Sequence, residues 1–154
     1  MIKIRETKSI SRRQLYNLFD SVGWIKSPDK RKKEKRPSDS IANHILYVGE
    51  KDKKGILEKS FQNSAYVVSA WDNKKLIGTI RVISDGVQRS ILYDLAVLPE
   101  YQGRGIGKSL VEKCLKKFSK TQITLGTSSG NFRFYKKFGF KRNHNYLEKE
   151  SIFF

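Results

Sequence analysis

One switch of periodicity in the middle of the chain constrains the fold more than anything else. Residues Ser90–Leu98 (SILYDLAVL) are almost wholly apolar, interrupted by Asp94, and the run stops at Pro99. A stretch of that length and composition reads as a strand buried on both faces and placed centrally in a sheet. Glycine then alternates at Gly103, Gly105 and Gly107, and from Gly105 to Phe118 the apolar residues Leu110, Val111, Cys114, Leu115 and Phe118 fall on one helical stripe. A buried strand that passes through glycines straight into an amphipathic helix requires a sheet with that helix packed against it.

The loop between them has a chemical reading. Glycine lets backbone N–H groups approach a ligand because no Cβ intervenes. The start of a helix adds unpaired donors and a partial positive charge, so the segment suits a phosphate, and Arg104 and Lys108 add full charges. Two phosphate loops fail on spacing. A Walker loop ending in Gly107-Lys108-Ser109 needs glycine at position 102, which is Gln102. A dinucleotide fingerprint starting at Gly103 needs glycine at Lys108, and one starting at Gly105 needs it at Leu110.

The rest of the chain supplies the surrounding layers. Ile2–Arg5 alternates as a first strand. Ser11 caps a helix running to about Val22, with Leu15, Leu18, Phe19 and Val22 inward and Gly23 as terminator. Ser38–Val48, with Ile41, Ile45, Leu46 and Val48 as its apolar face, and Lys54–Gln62 read as two further short helices. Ala65–Trp71 and Leu76–Ser84 form a hairpin across Asp72-Asn73, and Asp85-Gly86 turns the chain into the apolar strand. Ile123–Leu125 is a further strand, Asn131–Lys137 a short helix stopped by Gly139, and the tail after Phe140 supplies one or two closing strands. The expected class is α+β, a mixed and mostly antiparallel sheet with flanking helices.

Composition narrows the function classes. A chain of 154 residues suits one domain, here 1–154. No apolar run reaches the roughly 20 residues a membrane span needs, and the charged start MIKIRETKSISRR does not read as a signal peptide, so the cytoplasm is the expected compartment. The single cysteine excludes an internal disulfide. His44 and His144 lie far apart and no cluster has metal-ligand spacing, so no metal is expected. The net charge of +17 attracts polyanions, although scattered lysines are also ordinary solvated surface. The densest basic segment, Lys26–Asp39, is bracketed by Pro28 and Pro37 and reads as a loop.

Gln102-Gly103-Arg104-Gly105-Ile106-Gly107 has the form Q/R-x-x-G-x-G/A, which resembles the pyrophosphate signature of the GNAT superfamily of N-acetyltransferases. Asn131–Phe140 (NFRFYKKFGF) resembles the late Asn…Phe-Tyr-x-x-x-Gly-Phe block of the same family. The likeness covers about Tyr66 to Arg142. It implies a sheet splayed between the fourth and fifth strands, with the pantetheine arm of acetyl-CoA paired to Leu95, Ala96 and Val97. The pyrophosphate would rest on Gln102, Gly103, Arg104, Gly105, Ile106 and Gly107, with Lys108 and Ser109 behind. Asn131 and Tyr135, four apart and so on one helix side, would hold the pantetheine amide and the thioester sulfur. Taken alone, Asn131 reads as a helix cap and Tyr135 as core.

The implied chemistry is attack of a primary amine on the thioester through a tetrahedral oxyanion. Tyr135 is the candidate general acid for the leaving thiolate. Asp94, the carboxylate inside the strand, is the candidate base, or else it satisfies donors at a bulge. The acceptor side would be residues 1–62, including Tyr16 and Trp24, the acetyl-CoA core 63–142, and a closing strand 143–154. Expected partners are a small-molecule or protein amine, neutral or acidic rather than polycationic; a homodimer is compatible, and no membrane is expected. Two alternatives stand: a non-catalytic CoA-sensing domain, and a basic nucleic-acid-binding module, which leaves the phosphate loop on a buried strand unexplained.

Overall fold

The computed structural model describes residues 1–26, 46–47, 52 and 54–147. The elements in order are β1 Ile2–Glu6, α1 Arg12–Ser21, β2 Ile25–Lys26, β3 Leu46–Tyr47, α2 Ile56–Gln62, β4 Tyr66–Asp72, β5 Lys75–Ser84, β6 Arg89–Val97, α3 Ile106–Lys117, β7 Gln122–Leu125 and α4 Phe132–Lys136. The main sheet has the order β1-β4-β5-β6-β7. Its first three pairings are antiparallel and the last, β6 with β7, is parallel. This is the mixed, mostly antiparallel sheet expected from the sequence, with helices flanking it.

Both faces of β5 are covered, which is why Leu76–Val82 reads as a nearly continuous apolar run. On one face a Cβ added at Gly78 would sit 3.5 Å from Ile106 Cγ2 of α3 and 3.1 Å from the Ala96 carbonyl oxygen, so glycine permits the helix and β6 to close in. On the other, the Arg81 guanidinium lies 5.8 Å from the Phe61 ring centroid at the end of α2. Leu15, Leu18 and Phe19 of α1 and Leu57 and Phe61 of α2 fill that layer, fully buried or nearly so. Each such side chain contributes roughly 1.5–3 kcal/mol by leaving water.

Helix starts and turns follow local chemistry. Ser11 accepts from the Gln14 amide and begins α1, as its sequence suggests. For α2 the cap is Asp52, fully buried, whose two carboxylate oxygens accept from the Ile56 and Leu57 amides at 2.8 and 2.9 Å. At the β5–β6 turn one Asp85 oxygen accepts from the Val87, Gln88 and Arg89 amides, and Gly86 takes φ 75°.

Three expectations need correction. The helix drawn over Ser38–Val48 falls largely outside the described residues, but Leu46–Tyr47 within it is a strand, paired in parallel with Ile25–Lys26. Pairing with a distant strand overrides the helical spacing. The apolar strand β6 is not central: β5 is, and β6 stands between it and the edge strand β7. No closing strand occurs among the described tail residues 141–147; the remainder of the closing strand expected over 143–154 lies outside them.

Candidate active site

The two strands at the edge part company halfway along. β6 pairs with β7 from Arg89↔Gln122 to Leu92↔Leu125 and no further, leaving Tyr93–Val97 with an open edge. On its other side β6 carries an extra residue, because the register with β5 moves from Arg81↔Tyr93 to Thr79↔Ala96. Asp94 sits in this bulge with φ 54°, an uncommon conformation for a residue that is not glycine. A narrow cleft opens at this point, lined by Leu92, Tyr93, Asp94, Leu95, Leu125, Gly126 and Tyr135.

Above the bulge the backbone alternates as a strand should. The Leu98 amide donates to the Ile77 carbonyl at 2.8 Å, toward β5. The amides and carbonyls of Val97 and Leu95 therefore face the open edge. The Val97 carbonyl accepts from Gln102 Nε2 at 2.9 Å, so the glutamine side chain ties the loop back to the strand it left.

Pro99–Tyr101 makes a single 3-10 turn anchored to the β4–β5 hairpin. The Tyr101 hydroxyl donates to Asp72 Oδ2 at 2.9 Å, and Lys75 pairs with Glu100 at 2.9 Å. Gly103 and Gly105 then adopt φ 74° and 78°. Here glycine is required, since a Cβ costs roughly 1–2 kcal/mol in the left-handed region. Gly105 is the cap of α3 and contributes no side chain, and its carbonyl accepts from the Ser109 amide at 3.0 Å. The amides before Ser109 are thus the unpaired donors of a helix N-terminus. Two cations stand by. Arg104 donates to the Glu100 carbonyl at 2.8 Å and lies over Tyr101, and the Lys108 ammonium is 3.6 Å from Glu112.

At the cleft's far wall Tyr135 packs edge-on against Phe134 and Phe140, with centroids 5.0 and 5.9 Å away. Burial pushes its phenol up to about 12. Asn131 precedes α4 but makes no capping bond. Its amide donates instead to Thr127 Oγ1 and Ser128 Oγ, at 3.2 and 3.1 Å, fixing the segment that leads from β7 to Tyr135.

The structure therefore brings Asp94, Leu95 and Tyr135 together in the cleft and places the glycine loop at the end of β6. Tyr16 and Trp24 do not line the cleft: both lie half-buried against the core, and the Trp24 ring stacks on Phe19 at 5.4 Å and 14°. Sequence reasoning missed Arg81, whose Nε donates to Asp94 Oδ2 in an ion pair that is nearly buried. The signal was available: within the apolar spans Leu76–Ser84 and Ser90–Leu98, Arg81 and Asp94 are the lone charges, and they are opposite in sign. Among the described residues no group of His, Cys, Asp and Glu could hold a metal ion, and no helix is long and apolar enough to cross a membrane.

An open strand edge, a glycine-capped helix N-terminus and a cleft between diverging strands have the shape and the donors that suit an extended, phosphate-bearing ligand. Comparison with known proteins gives the class. The profile of the Acetyltransferase (GNAT) domain matches residues 48–154. An uncharacterized N-acetyltransferase, ycf52, of Pyropia yezoensis is 30% identical over 142 residues, covering 90% of this chain and 70% of that protein. A GNAT-family acetyltransferase structure, SP0256 from Streptococcus pneumoniae, superposes with a TM-score of 0.69 at 25% identity, covering 97% of this chain and all of the other. A "predicted acetyltransferase" from Clostridium acetobutylicum, solved with acetyl-CoA, shares the fold with a TM-score of 0.59 at 17% identity over 97% of this chain and 96% of that one. The chain belongs to the GNAT family of acetyltransferases. It is an acyltransferase, and acetyl-CoA-dependent acetyl transfer is the general reaction of its class.

Proposed function

We propose that this chain acetylates a primary amine by direct attack on acetyl-CoA held in the β6–β7 cleft. One observation carries the reading: the open edge of β6 has the donors of the α3 N-terminus at one end and the Tyr135 phenol beside it. The amides of Gly103–Gly107 would take the pyrophosphate, with Arg104, Lys108 and Ser109 around it. The Leu95 carbonyl and the Val97 amide would pair with the pantetheine arm, the Val97 carbonyl being held by Gln102, and Asn131 would keep the opposite wall in place.

The residues then divide the chemistry. An alkyl amine has a reference pKa near 10.4 and must be deprotonated before it attacks, its proton passing to water. The C–N bond forms as the carbonyl π pair moves onto oxygen, and the Leu95 amide, on the open edge beside Tyr135, donates to that oxyanion. As the oxyanion re-forms the carbonyl, the C–S bond breaks and its electron pair leaves on sulfur, to which the Tyr135 hydroxyl donates a hydrogen bond. The attacking nitrogen gives its surplus proton to water and ends as the neutral amide. The acceptor is a neutral or acidic amine, small or peptidyl. The net charge of +17 disfavours polycationic acceptors.

The test is calorimetry with acetyl-CoA followed by thiol release against an amine panel containing acidic peptides and polyamines. Binding together with turnover on acidic or neutral amines is expected. Binding without turnover on any amine would leave a CoA-sensing domain, and stabilisation by oligonucleotide instead of acetyl-CoA would leave a nucleic-acid module.

A further inference from the structure

We infer that Arg81 is a positioning residue, which holds the β6 bulge in its left-handed conformation and thereby keeps the cleft open. The inference rests on the β6–β7 cleft being the acetyl-CoA site.

The bulge lies where β6 leaves β7. A regular strand would carry its pairing with β7 past Leu92↔Leu125 and close the edge that Leu95 and Val97 present. The extra residue on β6 turns the strand away at that point. It requires a backbone conformation at Asp94, φ 54°, that an L-residue adopts reluctantly, and the sequence does not place glycine there. Such strain persists only where the surroundings over-determine it.

Arg81 supplies that determination. It stands opposite Tyr93 in the register, on the residue where the shift occurs. Its Nε donates to Asp94 Oδ2, and both side chains are nearly buried, at 15% and 11% exposure. The guanidinium is itself fixed from three sides. It lies 5.1 Å from the Tyr93 ring centroid and 5.8 Å from that of Phe61, and Nη1 reaches Ser64 Oγ at 3.5 Å. A planar cation clamped between two rings can orient a carboxylate in a way that a flexible ammonium cannot. The pair is thus a latch from the centre of the sheet onto the bulge, acting on the ligand through the backbone of Leu95–Val97.

The latch makes a prediction that a catalytic base would not. Glycine reaches φ 54° without steric cost, so glycine at position 94 removes the need for the latch. In Arg81→Met, acetyl-CoA affinity should fall at least tenfold and kcat should fall with it, and Arg81→Lys should recover only part of either. In Arg81→Met/Asp94→Gly, affinity and kcat should return to within about threefold of the wild type. Hydrogen exchange at the Leu95 and Val97 amides should change in the single variant and return in the double.

The inference is overturned if Arg81→Met binds acetyl-CoA as the wild type does, or if the double variant recovers binding but no turnover. The second result would make Asp94 a catalytic base. Should Arg81→Met fail to fold, the double variant decides: folding with binding supports the latch, and a second failure to fold overturns it. A wild-type chain that does not bind acetyl-CoA would instead sink the assignment of the cleft.

Discussion

Tyr135→Phe removes one hydroxyl and keeps the ring between Phe134 and Phe140, so it isolates what the phenol does. Burial places that phenol at about 12. It is therefore fully protonated at neutral pH, and a fall in rate due to its ionisation lies near pH 12, beyond an ordinary assay. The leaving thiol has a reference value near 8.5, so complete transfer from a group at about 12 is uphill by about 3.5 pH units. At about 1.36 kcal/mol per unit that is about 5 kcal/mol. In the proposed reaction Tyr135 would accordingly serve as a hydrogen-bond donor to the thiolate, with solvent completing the protonation. A hydrogen bond to a charged group is worth about 1.5–3 kcal/mol, which corresponds to a loss of about 10- to 150-fold in kcat. A general acid that delivers its proton in the transition state would cost roughly 10²–10⁴. The assay is thiol release at saturating amine from pH 6 to 10, with acetyl-CoA affinity measured separately. KM for acetyl-CoA should move little, and the variant should keep the wild-type pH profile over that range. A loss above 1000-fold with a changed alkaline limb would show that the proton is transferred after all. A loss under threefold would reduce the residue to core.

Gly105→Ala should lower stability by roughly 1–2 kcal/mol, because its φ of 78° disfavours any Cβ. Gly107→Ala, where the new Cβ meets Phe134 and Val97 at 3.7 and 3.9 Å, should instead be neutral or gain up to about 1 kcal/mol in helix propensity; melting temperatures distinguish the two. Acetyl-CoA affinity should weaken as salt rises, and Arg104→Gln should flatten that slope; equal slopes for wild type and variant would remove Arg104 from phosphate binding. Asp52→Ala should cost about 2 kcal/mol in denaturant unfolding by uncapping α2, with acetyl-CoA affinity unchanged. Tyr135 also bears on alkaline stability. Its phenol lies at about 12 folded against about 10 unfolded, so its contribution is intact below pH 10 and lost between pH 10 and 12 as the unfolded chain ionises. The Tyr135→Phe variant should lose less stability than the wild type across that window.

The elements carried by local chemistry were legible. Ser11 capping α1, Asp85-Gly86 turning the chain, and the alternating glycines before α3 each satisfy backbone groups within a few residues, so the sequence announces them. The start of α2 was less so, because its cap is the side chain of Asp52, four residues before the helix. Leu46–Tyr47 was illegible for a different reason: extended structure there depends on Ile25–Lys26, some twenty residues earlier. Trp24 and Tyr16 were assigned to an acceptor site by their place in the chain. In the structure they are half-buried against the core, and aromatic rings gain as much from packing as from binding a ligand.

By itself, then, the sequence determined that a buried strand ends in a glycine-capped helix and that this junction suits a phosphate. Those properties belong to φ, to the missing Cβ and to unpaired amides, and all are local. The tertiary structure decided what stands opposite the junction. It ended the β6–β7 pairing at Leu92, set Arg81 of a neighbouring strand against Asp94, and brought Tyr135 across from Leu95. Each depends on register between strands far apart in the chain, and a shift of one residue would turn the side chains to opposite faces.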